Sequence, residues 1–120
     1  MSKSILLISY DSALLIARHT LFEQEGYRVS SALGFREAMR ASEDGSFDLL
    51  ILGHSIPRAD QEELIRAFRG GSDAPILSLW AHNEGVTDGI NYLAFSDTPN
   101  KLLANVASIF ARGHSAQASG

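Results

Sequence analysis

The stretch FDLLIL at residues 47–52 is the strongest strand signal in the chain. Its four consecutive apolar residues 49–52 are typical of a strand that is buried on both faces of a parallel sheet. Residues 4–8, SILLI, form a second run of the same kind. Because each such strand needs apolar cover on both sides, the sequence predicts an α/β layer protein rather than a bundle or a sandwich.

Segments of helical period alternate with short apolar runs outward from these two strands. Asp11 or Ser12 can cap the first helix, and Gly26 is suited to end it. Pro99 is placed to open the last helix, after a cap at Asp97 or Thr98. The predicted strands cover residues 4–8, 27–32, 47–52, 75–79 and 89–94, and the predicted helices cover residues 12–25, 35–42, 60–69 and 99–111.

The length and composition predict one packed domain. The 120 residues are 45% hydrophobic and 20% charged, which is the balance of an ordinary globular domain. We place that domain at residues 1–112 and expect a flexible C-terminal tail at residues 113–120, where the sequence GHSAQASG has the composition of a frayed end.

Charge and cysteine content exclude several classes of partner and site. With 14 acidic against 10 basic residues the net charge is −4, so we expect neither a nucleic-acid nor a membrane partner. The chain has no cysteine, which excludes disulfides and thiolate metal sites and favours a cytoplasmic location. Its first residues resemble neither a signal peptide nor a membrane span, because Asp11 interrupts a short apolar run.

Three stretches carry a resemblance to a known family: EGYRVSSA at residues 25–32, the turn Ile56-Pro57 after the third strand, and YLAFSDTPNKLLANV at residues 92–106. Over about residues 4–111 the chain resembles the receiver domain of two-component response regulators. The resemblance implies a flavodoxin-like, doubly wound (βα)5 fold with a five-stranded parallel sheet. It also implies a phosphoryl-accepting aspartate after strand three, magnesium-binding acids after strand one, a hydroxyl after strand four and a lysine after strand five.

This chain departs from the family at every one of those positions. Ser9 and Tyr10 replace the metal-binding acids, and Gly53 replaces the phosphoryl acceptor. Trp80 replaces the hydroxyl and Phe95 replaces the lysine. Phosphoryl transfer needs acceptor, cation and clamp together, so we interpret the chain as a degenerate pseudo-receiver that is not an enzyme and holds no metal or cofactor.

The crossover between strands four and five is also short. Only the ten residues HNEGVTDGIN separate Ala81 from Tyr92, which leaves room for about two helical turns at best. The sequence therefore predicts that the fourth of the family's five helices is shortened or missing.

Two uses of the strand ends stay open. Tyr10, Trp80 and Phe95 could form an apolar cleft for a flat ligand, or they could fill the vacated pocket as core. A metal site at Asp11, His54 and His82 lacks any supporting spacing. The candidate interaction residues are Tyr10, His54, Trp80, Ile90, Tyr92 and Phe95.

The sequence thus predicts a non-catalytic signalling module that acts through protein–protein interaction, with an unidentified protein or a second copy of itself as the partner. A small apolar-ligand sensor is the alternative function. The chain could also be the receiver fragment of a larger regulator.

Overall fold

The computed structural model describes residues 2–80, 90–95 and 98–119. Strands and helices alternate through this part of the chain, as the hydrophobic pattern predicts. In chain order the elements are β1 (Ser4–Ser9), α1 (Ser12–Gln24), β2 (Arg28–Leu33), α2 (Gly34–Ser42), β3 (Leu49–Leu52), α3 (Arg58–Arg69), β4 (Ile76–Trp80), β5 (Tyr92–Phe95) and α4 (Pro99–Ser119).

The strands form one parallel sheet in the order β2-β1-β3-β4-β5. The central pair is β1 and β3, with Ile5 opposite Leu49 and Ile8 opposite Leu52. All four residues of β3 are fully buried, as are the apolar residues of β1. Buried parallel strands with no polar face explain why these two runs carried the strongest sequence signal.

Helices cover both faces of the sheet, which confirms the predicted α/β architecture. On one face α1 and α4 pack through residues such as Phe22 and Val106 against alternate strand residues. On the other face α2 and α3 pack through residues such as Ala38 and Phe68. Successive residues of each strand belong to the two clusters in turn, because successive side chains of a strand point to opposite faces.

The ends of α1 follow the predicted capping chemistry. Asp11 is the N-cap, and its side chain accepts a hydrogen bond from the Leu14 N–H. Gly26 follows the helix with φ of 94°, a conformation that L side chains rarely adopt. This glycine lets the chain turn directly into β2.

Several element boundaries differ from the sequence prediction. Helix α3 begins at Arg58, two residues before the predicted start, because Pro57 has the extended backbone of an N-cap. Strand β5 begins at Tyr92 rather than at residue 89. Helix α4 continues to Ser119, past the domain boundary predicted at residue 112, while the flexibility of residues 113–120 stays a prediction.

The predicted shortening of the crossover helix concerns residues 81–91, and most of that segment lies outside the described residues. Among the helices that the structure does describe, none has the length and apolar content needed to cross a membrane.

A polar clasp fixes the start of β4 and the approach to β5. The side-chain oxygen of Asn91 accepts hydrogen bonds from the Ile76 N–H at 2.8 Å and from the Arg69 guanidinium at 2.7 Å. Arg69 also donates to the Ala74 carbonyl at 2.6 Å. The clasp therefore connects the end of α3 to both strands of this half of the sheet.

We expect Asn91→Ala to lower the free energy of unfolding by about 1–3 kcal/mol, because it leaves the part-buried Ile76 N–H without its side-chain acceptor. Chemical denaturation followed by circular dichroism measures the change. Asn105→Ala is the matched control, since Asn105 is exposed on α4 and its loss should change stability by no more than about 0.5 kcal/mol. Equal stability of the two variants would contradict a structural role for the clasp.

Candidate functional site

The strand order reverses between β1 and β3, and this reversal creates the candidate site. The chain leaves β1 toward β2 on one side and later returns to β3 on the other. In open α/β sheets the crevice for a ligand lies at the carboxyl ends of the strands at such a point. The residues at the carboxyl ends of these strands are Ser9 to Asp11 for β1 and Gly53 to Ser55 for β3, and they form the site.

Gly53 lies against β1 with little space around it. Its N–H donates to the Ile8 carbonyl at 2.9 Å, which continues the β1–β3 pairing beyond β3. A Cβ at this position would approach the Ile8 carbonyl oxygen to 3.1 Å and the Ser9 Cβ and Oγ atoms to 3.4 Å. A side chain at Gly53 would therefore make one tight contact with the β1 backbone and ordinary contacts with Ser9.

Ser9 and Ser55 connect the two loops below the surface. Ser9 is fully buried. Its Oγ accepts from the Asp11 N–H at 3.0 Å and lies 3.4 Å from the Ser55 Oγ. The Ser55 Oγ in turn accepts from the Tyr10 N–H at 2.9 Å. The first of the family's metal-ligand positions is thus held by a hydroxyl group already engaged with its neighbours.

Tyr10 extends the same connection to α3. Its ring packs against the cluster under α2 and α3, and its hydroxyl donates to the Asp60 Oδ2 at 2.8 Å. Burial, together with the hydrogen bond and charge of Asp60, raises the pKa of the Tyr10 phenol well above its ordinary value. Tyr10 is therefore a neutral hydrogen-bond donor at this site and supplies no anionic metal ligand.

Asp11 and His54 do not meet in a metal site. The Asp11 carboxylate caps α1, and the half-buried His54 has an Nδ1 atom with no hydrogen-bond partner in the described structure. No group of three metal-ligating side chains occurs in the part of the chain that the structure describes. His82 lies outside that part.

The remaining predicted site residues belong to the β4–β5 half of the same sheet edge. The backbones of Trp80 and Phe95 are in register as partners. The predicted aromatic cleft depends on the side chains of these two residues, which lie outside the described structure. Ile90 and Tyr92 are half-buried and pack against opposite core clusters, with the Arg112 guanidinium 5.7 Å from the centre of the Tyr92 ring. Self-association through this edge stays a prediction.

Sequence reasoning missed the roles of Ser55 and Asp60. Both were visible only as a strand-end serine and a helix-start acid, two residue types that are common at such places. The signal that could have found Asp60 is Tyr10, because a half-buried tyrosine usually has a partner for its hydroxyl. Which acid supplies that partner depends on how β1 and α3 approach each other.

Known proteins show similarity along almost the whole chain. No family model matches the sequence. It is 26% identical over 117 residues to the transcriptional regulatory protein AfsQ1 of Streptomyces coelicolor, a match that covers 92% of this chain and 52% of that protein. It is 28% identical over 117 residues to the transcriptional regulatory protein CpxR of Escherichia coli, covering 92% of this chain and 50% of that protein. The chain therefore spans about half the length of these curated relatives.

Solved structures settle the fold. A two-component response regulator from Clostridium difficile superposes with a TM-score of 0.78 at 21% identity, covering 92% of this chain and 98% of that one. The chain has the fold of a response regulator receiver domain. The curated relatives support the same assignment, that of a receiver-like signalling module. The resemblance seen in residues 25–32 and 92–106 thus extends to the whole receiver-like architecture.

The raised pKa of Tyr10 predicts a loss of stability in alkali. Tyrosines of the unfolded chain ionise at about pH 10. Folded Tyr10 keeps its proton to higher pH, so the free energy of unfolding falls as the pH rises above about 10. Between about pH 9.5 and 11.5, Tyr10→Phe should lose less unfolding free energy than the wild-type receiver-like domain.

Urea denaturation at a series of pH values measures this difference. Asp60→Asn is the control, because it removes the charge but keeps an acceptor for the Tyr10 hydroxyl. Its alkaline loss should lie between those of the wild type and Tyr10→Phe. The same alkaline slope in Tyr10→Phe as in the wild type would show that the phenol is not protected in the folded state.

Proposed function

We propose that this chain is a receiver-type signalling module that works without phosphorylation on aspartate and without catalysing a reaction. The observation that carries the proposal is the environment of Gly53. The position lacks a carboxylate, and a Cβ added there would lie 3.1 Å from the Ile8 carbonyl oxygen, a tight contact with the backbone of β1. Gly53 therefore offers no side-chain oxygen that could accept a phosphoryl group.

The surroundings of Gly53 support the proposal from a second direction. Aspartyl phosphorylation in receivers requires a divalent cation, and cations such as Mg²⁺ prefer carboxylate and carbonyl oxygens. Here the two positions after β1 carry Ser9 and Tyr10, whose polar groups are already used in hydrogen bonds to Asp11, Ser55 and Asp60. Neither residue supplies a carboxylate ligand at the position where the family has its metal-binding acids.

Such a module would act by binding other proteins. A receiver-type fold without its phosphorylation chemistry still presents the same helices and loops to a partner. A partner can bind those surfaces without any reaction. The lack of cysteine is in keeping with a cytoplasmic location, which we propose together with the signalling role. The choice of partner depends on surfaces away from Gly53. The first experiment therefore tests whether the chain can be phosphorylated.

Incubation of the wild-type protein with acetyl phosphate and magnesium should give no increase in mass by one phosphoryl group. Intact-protein mass spectrometry measures this, with a receiver domain that has an acceptor aspartate as the positive control in the same mixture. A stoichiometric, acid-labile adduct on this chain would overturn the proposal.

Gly53→Asp alone should not restore phosphorylation. The new carboxylate still lacks metal-binding acids at the end of β1, and its Cβ makes a tight contact of 3.1 Å with the Ile8 carbonyl oxygen. Gly53→Ala is the matched control, because it adds the same Cβ without the acid. Gly53→Ala should change the unfolding free energy by about 1 kcal/mol or less, because a small shift relieves its one tight contact with the Ile8 carbonyl oxygen. Phosphorylation of Gly53→Asp in acetyl phosphate and magnesium would show that the present loops can hold the cation after all.

A further inference from the structure

Four side chains link the β1–α1 loop to the β3–α3 loop and the start of α3. They are Ser9, Tyr10, Ser55 and Asp60, and we call them the latch. Three contacts cross between the loops: Ser9 Oγ to Ser55 Oγ at 3.4 Å, Tyr10 N–H to Ser55 Oγ at 2.9 Å, and Tyr10 hydroxyl to Asp60 Oδ2 at 2.8 Å. The partners are 45 to 50 residues apart in sequence. The latch is therefore a tertiary feature that neither loop contains alone.

One arrangement of hydroxyl protons gives the hydroxyl groups of both Ser9 and Ser55 hydrogen-bond partners. The Ser9 hydroxyl can donate to the Asp11 carbonyl at 3.1 Å, while its oxygen accepts from the Asp11 N–H and from the Ser55 hydroxyl. The Ser55 oxygen then accepts from the Tyr10 N–H. Because each group both gives and receives, removal of one member leaves a part-buried partner unsatisfied.

The Tyr10–Asp60 hydrogen bond connects the latch to the first turn of α3. Asp60 lies in that turn, where the unpaired N–H groups of the helix start favour an acidic side chain. The turn is held locally by the Gln61 side chain, which donates to the Ile56 carbonyl at 3.1 Å, and by the Gln61 N–H, which donates to the Pro57 carbonyl at 2.9 Å. Tyr10 is the connection from this turn to β1.

We propose that the latch makes the β1–α1 loop and the first turn of α3 a single cooperative unit that opens and closes as a whole. The inference rests on the proposed function, because the latch occupies the end of the sheet where phosphorylation would otherwise set the conformation. A protein that contacts either loop then changes both, without a phosphoryl group. The closed state is the one that the hydrogen bonds favour when no partner is bound.

Amide hydrogen exchange measured by NMR tests this coupling with two reporter amides. The Asp11 N–H, bound to Ser9, reports on the β1–α1 loop, and the Gln61 N–H reports on α3. Tyr10→Phe removes only the bond to α3, and Ser55→Ala removes only the bonds at the β1–α1 loop. Under the proposal each variant accelerates exchange at both reporters by about fivefold, the effect of losing one net hydrogen bond.

Independent loops give a different result, which overturns the proposal. Tyr10→Phe would then affect Gln61 alone, and Ser55→Ala would affect Asp11 alone. The control variant is Tyr27→Phe, because Tyr27 is also a half-buried tyrosine that packs on the core but lies outside the latch. It should leave both reporters unchanged. Exchange at the Leu50 N–H, which pairs with the Pro75 carbonyl in the sheet, confirms that each variant remains folded.

The phosphorylation assay separates the two proposals. If the loops are coupled but the chain accepts a phosphoryl group, the proposed function is wrong and the proposal about the latch stands. If the loops are not coupled and the chain accepts no phosphoryl group, the proposal about the latch is wrong and the proposed function stands.

Discussion

The pairing of β1 with β3 is the constraint on which the rest of the structure depends. Residues 5–8 of β1 and all four residues of β3 are apolar and fully buried, so each strand must be covered on both faces. That requirement places α1 and α4 on one side and α2 and α3 on the other. Because β1 and β3 are adjacent while β2 lies beyond β1, the direction of winding reverses between them, and the candidate site lies at the carboxyl ends of these strands.

The same close pairing places Gly53 against β1 at the candidate site. The Gly53 N–H bonds to the Ile8 carbonyl, which extends the sheet to the point where an acceptor side chain would begin. Ser9 and Tyr10, at the end of β1, form hydrogen bonds with Ser55 and Asp60 across the candidate site.

Much of the fold could be predicted from local patterns. The two apolar runs gave β1 and β3, Asp11 and Gly26 marked the ends of α1, and Pro99 marked the start of α4. Boundaries were less accurate where a neighbouring element defines them. Strand β5 begins only where Asn91 pairs with Ile76, and no property of residues 89–91 alone shows where that pairing starts.

The sequence by itself determined the α/β class, the buried strands and the absence of an acceptor carboxylate at Gly53, because these depend on residue type and hydrophobic period. Only the tertiary structure decided that Ser9, Tyr10, Ser55 and Asp60 form one hydrogen-bonded group. Their partners are far apart in the chain, and hydrogen bonds act over a few ångströms in defined directions. Which hydroxyl meets which acid is therefore fixed by the packing of β1, β3 and α3, and the sequence shows only that the groups are available.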